Sequence, residues 1–170
     1  MSTTVAVNTF THTATYIAAK MMLTLKEIVR ESGLRPENLA TDWKSLEGAV
    51  AFYLRAQQLR RIVLEVYPAN KPTELAGAWE LHVKYSTNDS GDGGTFWADT
   101  DLIRYSIEKA GAYLSTCGYH FIVCVTPGSP DYDGWGPATL LPTDTFKRHS
   151  VGAQIGAPGA SVETFYWVKS

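Results

Sequence analysis

Seven consecutive residues, Tyr119 to Val125, read Tyr-His-Phe-Ile-Val-Cys-Val and are largely apolar at odd and even positions alike. A β-strand sends alternate side chains to opposite faces, so a strand of this composition is dry on both. Pro127, Gly128, Pro130, Gly134, Gly136, Pro137 and Pro142 follow, too closely spaced for a helix or a central strand before Thr143. Tyr132, Trp135, Leu140 and Leu141 stand among these breakers and are apolar enough to be held down on a surface. The strand therefore needs cover on both faces, and helices alone do not supply it. The extended stretch behind it is the candidate, because at about 3.3 Å per residue it can cross a small domain.

The helices are legible upstream. From Thr11 to Ser32, Ala14, Ile17, Ala18, Met21, Leu25 and Ile28 recur at three- and four-residue steps, while Lys20, Thr24, Glu27 and Glu31 gather opposite. Thr9 and Thr11 suit the N-cap, Arg30 suits the negative end of the dipole, and Gly33 followed by Pro36 is a stop signal. Met1 to Asn8 reads as an unpaired tail or an edge segment. A second helix is predicted from Thr41 or Asp42 to about Gln57, with Trp43, Leu46, Val50 and Leu54 on one side and Gly48 weakening it slightly. A third is predicted over about Asp99 to Leu114, with Ile103, Ile107, Ala110 and Leu114 facing the core.

Strands fill the remainder. Ile62, Leu64 and Val66 alternate with Arg61, Val63, Glu65 and Tyr67, and Trp79, Leu81, Val83 and Tyr85 alternate with Glu80, His82, Lys84 and Ser86. The second pattern predicts one dry and one wet face, and the loop between the two runs makes them an antiparallel hairpin. Val151 to Ile155 and Ser161 to Val168, separated by Gly156 to Ala160, predict a closing hairpin. At 170 residues the chain is long enough for one domain with its own core.

Composition and motifs exclude more than they assign. A formal net charge of −2, with only the pair Arg60 and Arg61 as a basic cluster, gives no reason to expect a nucleic-acid surface. No run reaches membrane-spanning length and the amino terminus lacks a secretion pattern, so a cytosolic protein is expected. Cys117 and Cys124 read as reduced, buried thiols. His12, His82, His120 and His149 each lack a second ligand three or four residues away, and Asp144, His149 and Ser150 carry the letters of a triad without its turn. Asn88, Ser90, Asp92, Gly93 and Asp99 follow an EF-hand-like spacing, but a strand precedes them and Asp99 stands where a bidentate Glu belongs. No catalytic residue, metal site or cofactor is assigned. A covered strand followed by a wrapper suggests instead that an extended peptide is trapped between the two by strand addition.

The order helix, helix, hairpin, helix, apolar strand and long wrapping tail resembles the bacterial HORMA domains encoded in CBASS anti-phage operons. The stretches that carry the resemblance are Thr11-His12-Thr13-Ala14-Thr15-Tyr16 with Leu25-Lys26-Glu27-Ile28 and Ser32-Gly33-Leu34; Phe96-Trp97-Ala98-Asp99-Thr100-Asp101 with Ile107-Glu108-Lys109-Ala110-Gly111; and Pro127-Gly128-Ser129-Pro130 through Gly134-Trp135. It implies an α+β fold, three helices packed on an antiparallel sheet, with a flexible segment over residues 1–10 and a C-terminal safety belt over residues 128–170. The terminal hairpin would pair with the Ala78 to Tyr85 strand.

By the same resemblance, a closure-motif peptide adds as a strand beside Tyr119, Phe121, Ile122, Val123, Cys124 and Val125, with Tyr132 and Trp135 closing over it. The loaded domain then binds and activates a cGAS/DncV-like nucleotidyltransferase that makes a second messenger, and an AAA+ remodelling ATPase engaging the amino-terminal segment reopens it. The peptide can be the tail of a paralogous HORMA protein. Ser161 to Ser170 is read as a strand of the belt, since Val162, Thr164, Tyr166 and Val168 alternate with Glu163, Phe165 and Trp167. Two other classes stand beside this reading: a small metal-dependent enzyme with its site near residues 88–101, and a purely structural interaction domain.

Overall fold

The structure, a computed structural model, describes the backbone of residues 2–86 and 95–170 and, within those, the side chains from Phe10 onward. Helix α1 spans Ser2–Glu31, and Ile17, Met21, Leu25 and Ile28 of its inner face are fully buried. It begins before Thr9 and Thr11, so neither is a cap and residues 2–8 are helical rather than an unpaired tail or edge segment. The reason is negative: no Pro or Gly interrupts the chain between Ser2 and Ser32. Gly33, at φ +84°, ends the helix as expected.

Helix α2 spans Pro36–Arg55 and starts earlier than Thr41. Proline has no N–H to leave unpaired at a first turn, and it holds Arg35 before it in extended backbone. Strands β1 (Leu59–Tyr67) and β2 (Gly77–Tyr85) form the expected antiparallel hairpin. After the short β3 (Trp97–Ala98), the Asp99 side chain caps α3 (Thr100–Ala110) by accepting the Leu102 N–H at 3.0 Å. Gly111, at φ +87°, stops α3 a turn sooner than its apolar spacing implied, and Leu114, placed on the core side by that spacing, is 76% exposed.

Strand β4 (Gly118–Val125) is followed by a long irregular segment and the closing hairpin of β5 (Phe146–Ala157) and β6 (Ala160–Lys169). The sheet order is β3-β5-β6-β2-β1-β4. Chain order and sheet order thus diverge: the terminal hairpin inserts next to β2, with Ala78 opposite Trp167 and Tyr85 opposite Ala160. That pairing leaves β4 as the opposite edge, joined to β1 alone among the described residues.

Register separates the two faces of the sheet. Tyr119, Phe121 and Val123 of β4 lie opposite Val66, Leu64 and Ile62 of β1, which are fully buried under the helices. His120, Ile122 and Cys124 lie on the outer face beside Glu65, Val63 and Arg61. Gln154 of β5 fastens the hairpin to α1 in a buried trio, donating to Thr24 Oγ1 while accepting from Thr164 Oγ1, each at 3.3 Å.

The outer face is drier than the alternation of β2 implied. Glu80, predicted to be wet, is buried, and its carboxylate accepts from Trp167 Nε1 at 2.7 Å, pairs with His82 Nε2 at 2.7 Å and takes a bond from Arg61 at 3.2 Å. Burial alone would raise its pKa, but the bonds from His82 and Trp167 and the charge of Arg61 outweigh that and hold the carboxyl below its ordinary value.

Candidate functional site

Residues 126–145 contain neither helix nor strand. Their course is fixed by a few polar anchors. Tyr53 of α2 donates its hydroxyl to the Pro130 carbonyl at 2.8 Å, and Trp135 Nε1 donates to Ser45 Oγ at 3.0 Å. Between these points the Tyr132 ring lies 5.2 Å from Phe52 and 6.5 Å from Tyr53. The first half of the segment is therefore laid along α2, on the helix side of the sheet.

The second half is on the other side. The Leu141 N–H donates at 2.7 Å to Glu65 Oε2, and Glu65 belongs to the outer face of β1. The segment thus passes around the outside of the β4 edge, from helices to outer face, before it enters β5. The last residue returns to it, the Ser170 N–H bonding to the Thr145 carbonyl at 3.0 Å.

Between this strap and the β4 edge lies a cavity of about 820 Å³. Phe121, Ile122, Val123, Cys124 and Val125 form one wall, and Tyr132, Trp135 and residues 136–140 form the other, with Tyr53 contributing from α2. Seven of the eight residues that the sequence puts forward for peptide contact meet here. Tyr119 does not: it is 5% exposed, and its hydroxyl binds the Arg35 carbonyl and accepts the Leu39 N–H at 3.0 Å. It ties β4 to the start of α2, and burial pushes its pKa up. On β4, the channel-lining residues are half-buried rather than dry.

An edge strand carries every second backbone N–H and C=O outward, so the β4 wall offers a row of unused ladder groups to the cavity. An extended chain is the ligand shape that satisfies such a row. The site has one further structural requirement, at Gly48. A Cβ there would collide with the Tyr132 hydroxyl, so the glycine that weakens α2 is what admits the strap against it.

Sequence reading missed Glu65, Ser45, Tyr53 and Gly48. Glu65 enters the sequence reading only as an alternating member of the first strand, yet it is 2% exposed and also pairs with His120 Nε2 at 2.7 Å. A lone carboxylate among Ile62, Val63, Leu64 and Val66 was the available signal. The calcium-like spacing cannot be followed, because Asn88, Ser90, Asp92 and Gly93 lie outside the described residues; Asp99 serves as the α3 cap. Among the described residues no three His, Cys, Asp or Glu side chains are grouped to hold a metal, both cysteines are free thiols, and no helix is long and apolar enough to cross a membrane.

Three helices on one face of an antiparallel sheet, a carboxyl-terminal hairpin docked on β2 and a coil strapped around the opposite edge define a belt-clasped domain of the HORMA class. The chain belongs to the family described as Bacterial HORMA domain 2, whose profile matches residues 2–170. A comparison with curated protein sequences gives no match. Among solved structures it is similar to a chain of the mitotic checkpoint complex, at 9% identity and a TM-score of 0.76, with 93% of this chain and 99% of that chain covered. C. elegans HTP-2 bound to the HIM-3 closure motif gives 12% identity and a TM-score of 0.72, covering 93% and 90%. A chain of the E. coli MS115-1 CdnC:HORMA-deltaN complex gives 10% identity and a TM-score of 0.53, covering 96% and 89%. At these identities the likeness is one of fold.

Proposed function

We propose that this protein is a non-catalytic, peptide-capturing signalling switch. A closure-motif peptide, either from an unrelated protein or from the tail of a paralogous HORMA protein, adds as a strand to the outer edge of β4 and is held by the belt. Phe121, Ile122, Val123, Cys124 and Val125 supply the strand edge, and Tyr132 and Trp135 close over the guest. The observation that carries this reading is the position of the outer β4 edge, unpaired among the described residues, inside the strap and facing a cavity of about 820 Å³.

In the loaded state the domain binds and activates a cGAS/DncV-like nucleotidyltransferase in anti-phage defence, and an AAA+ remodelling ATPase acting on the amino-terminal segment resets it in the cytoplasm. The likeness to HTP-2 with its closure motif supports peptide capture, and that to a chain of the CdnC:HORMA-deltaN complex supports a nucleotidyltransferase partner; the AAA+ ATPase rests on the resemblance in sequence alone. The thermodynamic requirement is that the guest binds the strapped form better than the unstrapped one, since a ligand with equal affinity for two states shifts neither.

The test is recovery of the protein from its native host, followed by mass spectrometry of what accompanies it, and a messenger-synthesis assay with the recovered nucleotidyltransferase. The expected result is a short peptide and a nucleotidyltransferase together, with synthesis dependent on both the chain and the peptide. Synthesis indifferent to this chain would remove the switch, and partner binding unaffected by added peptide would leave only a structural adaptor.

A further inference from the structure

The chemistry of the channel restricts what it can hold, and this inference rests on the peptide-capture reading above. The guest would run beside Phe121 to Val125, a length of about five or six residues at roughly 3.3 Å each. An ordinary edge strand in a half-solvated sheet is polar on one face. Here both faces of the guest meet mostly apolar side chains. Toward the helices it faces Val123, Tyr53 and Tyr132, and toward the outer face it faces Ile122, Cys124 and Leu140. Polar side chains at successive positions of the guest would find few partners there and lose part of their hydration, which is unfavourable on either side.

One lining residue departs from this pattern. Asp131 is the single Asp, Glu, Lys, Arg or His among the residues that line the channel. Its place is set by its neighbours rather than by its own bonds: the preceding Pro130 carbonyl is held by the Tyr53 hydroxyl at 2.8 Å, and the following Tyr132 packs against Phe52 and Tyr53. The carboxylate is exposed, so it keeps its hydration until a guest arrives. A negatively charged guest residue at this point of the strap would meet like charge, since the cation in contact with the lining, Arg61, stands beside Cys124 on the outer face of β4. A cation brought near it gains both attraction and a hydrogen-bond acceptor.

We infer that the channel selects a guest of about five or six residues, apolar on both of its faces, carrying one Lys or Arg that sits against Asp131 on the helix-facing side of the strap. Asp131 is a specificity-determining residue, and guests with Asp or Glu at that position bind more weakly.

The experiment uses the full chain and a displayed library of random seven-residue peptides, screened in parallel against the wild type, Asp131→Asn and Asp131→Lys. Wild type should enrich apolar peptides with a Lys or Arg at one fixed position, and changing that residue to Glu should weaken binding about two- to fivefold or more, the range of a partly exposed ion pair. Asp131→Asn should lose the preference while still capturing peptide, and Asp131→Lys should shift it to Asp or Glu. Thermal unfolding of each variant like that of the wild type establishes that the fold is intact. Peptides captured with no basic preference, or a ranking unchanged in Asp131→Lys, overturn the inference and leave peptide capture standing. Failure of folded wild type to enrich any peptide sinks the peptide-capture reading itself, and this inference with it.

Discussion

Glu65 Oε2 accepts the backbone N–H of Leu141 at 2.7 Å, while Oε1 of the same carboxylate pairs with His120 Nε2 at 2.7 Å. One buried side chain of β1 thereby ties the strap to the strand that the strap encloses. Replacing Glu65 with Ala strands the Leu141 N–H and removes the partner of His120. The expected loss of stability is about 1–3 kcal/mol, the cost of leaving such groups unsatisfied. Denaturant unfolding measures the loss, and faster hydrogen exchange at Leu141 together with faster proteolysis within residues 128–145 locates it in the strap.

Gly48→Ala separates helix stability from strap closure. Alanine should improve the interior of α2 by about 0.8–1 kcal/mol. Its Cβ would displace the Tyr132 hydroxyl and with it the aromatic contact to Phe52. The expected outcome is an unchanged or raised melting temperature with weaker peptide binding. A variant that is more stable and binds peptide equally well would show that Tyr132 is dispensable to the channel.

Val123→Asp places a carboxylate between the helix layer and the channel, where Val123 is packed against the core. No cation lines the channel to receive it. Stability should fall by about 2 kcal/mol or more, and peptide binding should be lost even in the fraction that stays folded. Circular dichroism melts and peptide titration of the same sample distinguish the two effects.

The Glu80 network predicts an acid limb. Its folded-state carboxyl lies below the ordinary 4.5 through the bonds from His82 and Trp167 and the charge of Arg61, which overcome its burial. The stabilisation is fully present above that ordinary value and is lost as pH falls below it through the lowered folded value. Stability against pH should therefore drop in that window for the wild type and drop less steeply for Glu80→Gln. Urea midpoints measured in steps from neutrality downward read this directly.

Removal of everything after Pro127 deletes the strap and both strands of the terminal hairpin. It bares β4 and the β2 edge together, so the product should aggregate; light scattering during expression trials checks this. A soluble truncated form that still bound peptide would show that the strap has no part in capture.

The parts of this fold that were legible in the sequence are those in which local pattern and tertiary environment agree. The inner face of α1, the hairpin of β1 and β2 and the irregular course after Val125 follow from periodicity and from Pro and Gly spacing. The apolarity of Tyr119 to Val125 on both faces pointed to a neighbour beyond the helices, and the strap runs there, but across a cavity that leaves Phe121 to Val125 half-buried. What periodicity could not give was long-range polar pairing. Glu65 and Glu80 look like solvent-facing members of alternating strands, and only the partners that arrive from residues 120, 141 and 167 explain their burial. Leu114 fails for a local reason, because Gly111 ends α3 before the apolar spacing runs out. Gly48 reads as a defect in a helix until Tyr132 is placed against it.

Under the proposed peptide capture, the route of the strap would set how a guest comes and goes. A chain lying between β4 and residues 131–140 is encircled, much as a thread is held by the eye of a needle, and the loop is shut by the eight residue pairs that join β6 to β2. A guest with a bare end can slide through. One carrying folded bodies at both ends can be loaded or freed only after that zipper has come apart, so its residence time is governed by the unzipping rate rather than by the contacts it makes.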